Sequence, residues 1–138
     1  MLNGPPRLRT GTLITEPAHA ASTRRVLVVD DDARVRQALC ALLTSSQGLS
    51  VVGEASSGPE ALRADEQLDP DVVLLDLLLP TAQDGLDVLR RLAARGRKVV
   101  ALTIRVQLRR AALDAGATAF VEKGVSPDVL LEFLRSGR

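Results

Sequence analysis

Aromatic residues are almost missing from this 138-residue sequence: Phe120 and Phe133 are the only two, with no Trp or Tyr. Stacking platforms for single-stranded nucleic acid need several exposed rings, so that class of binding is excluded. A single cysteine, Cys40, allows neither an internal disulfide nor a cysteine-rich zinc site. An excess of one charge is lacking too. Eighteen Lys and Arg against 17 Asp and Glu give +1, far from a nucleic-acid footprint. No apolar run approaches the roughly 18 residues of a membrane-spanning helix, because charges interrupt each one. Ala18-His19-Ala20 has the small residues of a signal cleavage site, but only Leu13-Ile14 precedes it, too short for a signal core. The expectation is a soluble, cytoplasmic protein without a membrane partner. What is present is ordinary for one globular domain, with 46% hydrophobic and 25% charged residues.

Residues 1–24 differ from the rest. Gly4, Pro5, Pro6, Gly11 and Pro17 punctuate them without apolar periodicity, so they read as a flexible, solvated N-terminal tail. Arg7, Arg9, Arg24 and Arg25 against Glu16 put the basic excess at this end, leaving residues 26–138 mildly acidic.

From Arg25, short apolar runs alternate with amphipathic stretches. Val26 to Val29 is a buried-strand run ending in Asp30-Asp31-Asp32, and Val35, Ala38, Leu39, Leu42 and Leu43 then follow helical spacing. Leu49 to Gly53 predicts a second strand and Pro59 to Leu68 a helix with Pro at its start. Val72 to Leu75 predicts a third strand ending at Asp76, followed by a helix over Asp84 to Ala94. Lys98 to Leu102 predicts a fourth strand, then a helix near Val106 to Ala115 closed by Gly116. Thr118 to Val121 predicts a fifth strand, and Ser126 caps a last helix through Leu134. Five such repeats imply an α/β fold, a parallel sheet with helices on both faces. Sites in such sheets lie beyond the carboxyl ends of the strands.

The residues at those ends form a chemical set: Asp30, Asp31 and Asp32 after the first strand, Asp76 after the third, Thr103 after the fourth and Lys123 after the fifth. Singly, each has an ordinary explanation. Asp32 caps a helix, Thr103 is a β-former and Lys123 a surface charge. Together, clustered carboxylates repel unless a cation joins them, and oxygen ligands without His or Cys select a hard ion, Mg²⁺ above all. An Asp beside such an ion can act as nucleophile toward a phosphoryl group. Thr103 and Lys123 would meet its oxygens. Cys40 reads as core, and His19 has no partner in view.

At these residues the sequence resembles the receiver domain of two-component response regulators. The resemblance is carried by Val26-Leu27-Val28-Val29-Asp30-Asp31-Asp32, by Asp71 through Pro80 with Asp84-Gly85-Leu86, by Val99-Val100-Ala101-Leu102-Thr103, and by Ala115 through Lys123. It covers residues 25–136, and Val51 through Gly58 is most similar to receivers of the NarL/LuxR type. It implies a flavodoxin-like (CheY-like) five-stranded parallel sheet of order 2-1-3-4-5. It further implies Asp76 as phosphoacceptor, Asp31 as direct Mg²⁺ ligand, Asp30 acting through water, the Leu78 backbone carbonyl as a further ligand, Thr103 and Lys123 as phosphoryl-binding groups and Phe120 as the aromatic switch. The implied partners are a sensor histidine kinase or phosphotransfer protein, a downstream protein on the surface of the fourth and fifth helices and fifth strand, and a second copy of the chain. No enzyme activity of its own is implied.

Some positions depart from that pattern. Leu78 is apolar where many receivers are polar, and Ile104 is bulky where small residues are usual; both are expected to shield an acyl phosphate from water. The loop from Pro80 to Gly85 reads one residue longer than the common form, and Gly124 replaces a proline. The chain stops at Arg138, so the expectation is a stand-alone receiver without direct DNA binding. The rival is a pseudo-receiver, an interaction module not controlled by phosphorylation. A haloacid-dehalogenase-like phosphatase would need a second Asp where Leu78 stands, and a flavodoxin would need a phosphate cradle after the first strand.

Overall fold

The computed structural model describes residues 23–136, so residues 1–22, where most of the expected tail falls, lie outside the described residues. Its elements run β1 (Arg24–Val29), α1 (Ala33–Thr44), β2 (Leu49–Ala55), α2 (Gly58–Leu68), β3 (Val72–Asp76), α3 (Ala82–Ala94), β4 (Lys98–Thr103), a 3-10 turn (Val106–Leu108), α4 (Arg109–Asp114), β5 (Ala119–Glu122) and α5 (Pro127–Ser136). The strands form one parallel sheet of order β2-β1-β3-β4-β5, as the resemblance implied. β1 begins at Arg24, one residue before the expected boundary, because Arg24 already pairs with Leu49.

The central strands explain their continuous apolar runs. Successive side chains point to opposite faces, so a strand covered on both faces needs apolar residues throughout. Leu27, Val29, Val73, Leu75, Val99 and Ala101 enter one core with Ala61 of α2, Leu86 and Leu89 of α3 and Ala112 of α4. Val26, Val28, Val72, Leu74, Val100 and Leu102 enter the other with Leu43 of α1 and Leu130, Leu131 and Leu134 of α5. The helices thus divide three to two across the sheet, and the chain reverses its winding between β1 and β3, where such sheets place their sites.

Three differences from the sequence reading have local causes. Ala38 is exposed, because three residues beyond Val35 it lies on the flank of the α1 stripe; Leu39, Leu42 and Cys40 pack there instead. α3 starts at Ala82, two residues early, on a reciprocal cap in which Thr81 Oγ1 accepts from the Asp84 amide at 3.2 Å and Asp84 Oδ2 accepts from the Thr81 amide at 3.4 Å. The fourth helical stretch is split, with a 3-10 turn leading into six residues of α4.

Candidate functional site

Each candidate side chain is delivered by a strand end. Asp30 follows β1, Asp76 closes β3, Thr103 closes β4 and Lys123 follows β5. Asp30 and Thr103 are fully buried and Asp76 is nearly so, while Asp31 faces outward. One carboxylate oxygen from each of Asp30, Asp31 and Asp76 lies within 4.8 Å of the others. The Lys123 ammonium donates to Asp76 Oδ2 at 3.1 Å and to Asp30 Oδ2 at 3.4 Å. The remaining oxygens are turned to loop amides: Asp30 Oδ1 accepts from the Asp32 amide at 2.9 Å, and Asp76 Oδ1 accepts from the Leu78 amide at 3.1 Å.

Three carboxylates against one ammonium leave the pocket short of positive charge, and the groups respond. Burial pushes the Asp30 carboxyl above its ordinary value and the charge of Asp76 adds to that, against the opposing Asp32 amide and Lys123. Burial alone would lower Lys123, but its hydrogen bond to Asp76 and the charges of Asp76 and Asp30 outweigh it, holding the ammonium above its usual range. An all-oxygen set with surplus negative charge fits a hard divalent cation and offers nothing to a soft one.

The other predicted residues stand around this cluster. Lys123 is tied to β4 through its amide, which donates to the Thr103 carbonyl at 2.9 Å. The Thr103 hydroxyl accepts from the Arg105 amide at 3.1 Å, which leaves its own hydrogen free to donate. Phe120 lies in β5 away from the acids, buried, with the Arg109 guanidinium 5.9 Å from its ring centroid. Leu78 is half-buried, and Ile104 is 66% exposed at the end of β4. Asp32 is the α1 cap, its Oδ1 accepting from the Arg34 and Val35 amides at 2.9 and 3.2 Å.

Two residues whose packing roles the sequence did not reveal shape the pocket. Gly85 lets α3 close onto the loop after Asp76, because a Cβ there would fall 1.8 Å from the Leu77 carbonyl oxygen. The sequence reading began this helix at Asp84, and only Thr81 three residues before Asp84 signalled the earlier cap. Arg36 of α1 donates to the Asp30 carbonyl at 2.8 Å and to Glu54 Oε1 of β2 at 3.0 Å. No spacing rule points to a contact that crosses elements in this way.

Comparison with known proteins places these features in context. A family model described as the response regulator receiver domain matches residues 26–135. The chain is 47% identical over 104 residues to a protein-glutamate methylesterase/protein-glutamine glutaminase of Myxococcus xanthus, covering 72% of this chain and 30% of that protein. It is 38% identical over 115 residues to the response regulator GacA of Pseudomonas viridiflava, covering 80% and 53%. The chain therefore spans about half or less of the length of these relatives. Among solved structures, it is similar to a LuxR-family two-component response regulator from Aurantimonas (TM-score 0.76, 30% identity, 85% of this chain and 88% of that one). It is also similar to the response regulator domain of Thermotoga maritima CheB (TM-score 0.76, 28% identity, 83% and 96%).

Proposed function

Because the chain belongs to the response regulator receiver family, we propose that it is a phosphorylation-controlled signalling module in which Asp76 accepts a phosphoryl group from a sensor histidine kinase or phosphotransfer protein. The observation that carries this reading is the convergence of the Asp30, Asp31 and Asp76 carboxylates within 4.8 Å, with Lys123 against two of them. In the transfer, an Asp76 carboxylate oxygen attacks phosphorus. The new O–P bond forms as the P–N bond to the donor histidine breaks, and the departing imidazole nitrogen takes up a proton.

Asp31 directly, Asp30 through water, Asp76 and the Leu78 carbonyl are the groups that would hold Mg²⁺, which when bound offsets charge on the phosphoryl oxygens. The rest falls to the chain itself. Lys123, already against Asp76, follows the phosphoryl group as a second positive partner, and the free hydroxyl hydrogen of Thr103 donates to one of its oxygens. Drawing Thr103 toward the phosphoryl group disturbs β4, and Phe120 on the adjoining β5 is the residue whose repacking would report it. Phe120 lines a groove of about 300 Å³ with Val106, Val125, Val129 and Phe133, exposed apolar residues of the α4–β5–α5 face. That face is the proposed contact for a downstream protein or for a second copy of the chain. Ile104 and Leu78 flank the site as water shields, so Ile104→Ala is expected to speed both phosphorylation by small donors and hydrolysis.

The direct test is intact mass after treatment with acetyl phosphate and MgCl₂, beside Asp76→Ala. The parent should gain the mass of one phosphoryl group and the variant none. Equal masses in both would assign the chain to the pseudo-receiver class, an interaction module without phosphorylation control.

A further inference from the structure

We propose that Arg36 is a positioning residue of the acidic pocket: it fixes the peptide joining Asp30 to Asp31 and so presents the Asp31 carboxylate to a divalent cation. The inference rests on the cation-site reading above and adds a residue to it.

The three acids are held very differently. Asp30 and Asp76 are buried and each accepts hydrogen bonds on both carboxylate oxygens. The exposed Asp31 carboxylate has no hydrogen-bond or ion-pair partner among the described residues. Where Asp31 points is therefore decided by its backbone, above all by the preceding peptide. That peptide is pinned from one side chain: Arg36 donates to its carbonyl oxygen at 2.8 Å. The same guanidinium is braced by Glu54 at 3.0 Å, and its side chain is only 18% exposed. Glu54 pairs with Val28 across β1 and β2, and the neighbouring Ala55 carbonyl accepts the Asp30 amide at 3.1 Å. Both ends of Asp30 are thus anchored, the amide by a strand and the carbonyl by the Arg36–Glu54 pair. The planar fork of arginine reaches both acceptors at once, which a lysine ammonium cannot match in geometry.

Charge and position predict opposite outcomes. A positive charge near the pocket repels a cation, so by Coulomb's law alone removing Arg36 strengthens binding. If Arg36 acts by holding the Asp31 backbone, removing it weakens binding, on the order of tenfold for a group that orients a metal ligand. The sign of the change decides between them.

The experiment is isothermal titration of MgCl₂ into the full chain for the parent, Arg36→Met, Arg36→Lys and Asp31→Asn, with melting curves in the absence of Mg²⁺ to check folding. Asp31→Asn should abolish binding. Both Arg36 variants should weaken it by roughly tenfold, Arg36→Lys included, since it keeps the charge and loses the fork. Affinity at or above the parent's in the Arg36 variants, with Asp31→Asn still silent, overturns the role of Arg36 and leaves the cation site standing. Undiminished binding by Asp31→Asn overturns the site reading and this inference with it. Should Arg36→Met fail to fold, Arg36→Lys decides the matter alone.

Discussion

The two rims of the sheet use the same residue types to opposite ends. At the amino ends of the strands, Asp65, Asp69 and Asp71 meet Arg25, Arg95 and Arg97. Buried Asp65 accepts from both Arg95, at 2.9 Å, and Arg97, at 2.5 Å. Arg97 also reaches Asp69 at 2.9 Å and donates to the Pro70 carbonyl. Arg25 donates to the carbonyls of Leu68 and Asp69 at 2.8 and 2.7 Å, while its amide bonds the Asp71 carboxylate at 2.8 Å. Three acids face three bases. At the carboxyl ends, three acids face Lys123. A balanced rim has little use for an added ion and locks the α2–β3 connection in place. The unbalanced one holds repulsion that a cation would relieve.

The sharpest way to break this contrast is Asp65→Ala. Removing the buried carboxylate that Arg95 and Arg97 share should cost up to about 3 kcal/mol in urea denaturation, less to the extent that half-exposed Arg95 turns to solvent and Arg97 keeps Asp69. Mg²⁺ affinity of the folded protein should not change. A joint loss of stability and affinity would mean that the two rims are coupled and the contrast is false.

Next in size is the response of the unbalanced rim to its ion. At Mg²⁺ about 100-fold above the dissociation constant, linkage stabilises the fold by roughly 2.7 kcal/mol. A melting temperature insensitive to MgCl₂ would mean that this rim takes up no divalent ion. Asp31→Asn should raise the metal-free melting temperature slightly, by relieving repulsion, and erase the Mg²⁺ response.

The smallest effect belongs to Glu60, an acid near the carboxyl-end rim that is already satisfied. The Ser56 amide and then the Ser56 hydroxyl hold its carboxyl below the ordinary carboxylate range. A lowered folded-state value gives stability that is present above the unfolded value and lost as pH falls through the folded one. Glu60→Gln should therefore lower the neutral plateau of the stability–pH curve slightly and flatten its acid limb, leaving the most acidic end unchanged. A limb unchanged in slope would show that this bond is not felt.

The sheet was legible because its central strands are covered on both faces, which forces runs such as Val26 to Val29 and Val72 to Leu75 that no exposed segment would carry. The acidic cluster was legible because each member directly follows such a run. Contacts between distant segments were not. Asp65 and Arg97 lie 32 residues apart, and nothing in the period of either helix or strand couples them. Arg36 sits in a helix whose pattern announces Val35, Ala38, Leu39, Leu42 and Leu43, so its reach to Asp30 emerges only when α1 is laid against β2. The start of α3 reads as Asp84 for a different reason: its earlier beginning shows only once Thr81 is seen to cap it and Gly85 to sit against Leu77.

The first strand and last helix meet where Arg24 Nε donates to the Leu134 carbonyl at 3.3 Å, beside Arg135 and the Gln47 carbonyl at 3.0 Å. The described polypeptide is therefore close to a closed ring. Joined there by a short linker and reopened at an exposed turn, a circular permutant would keep every strand neighbour. For a biosensor builder, a reporter placed at that junction between residues 24 and 134 would sit at the pole opposite Asp76, clear of the acidic rim.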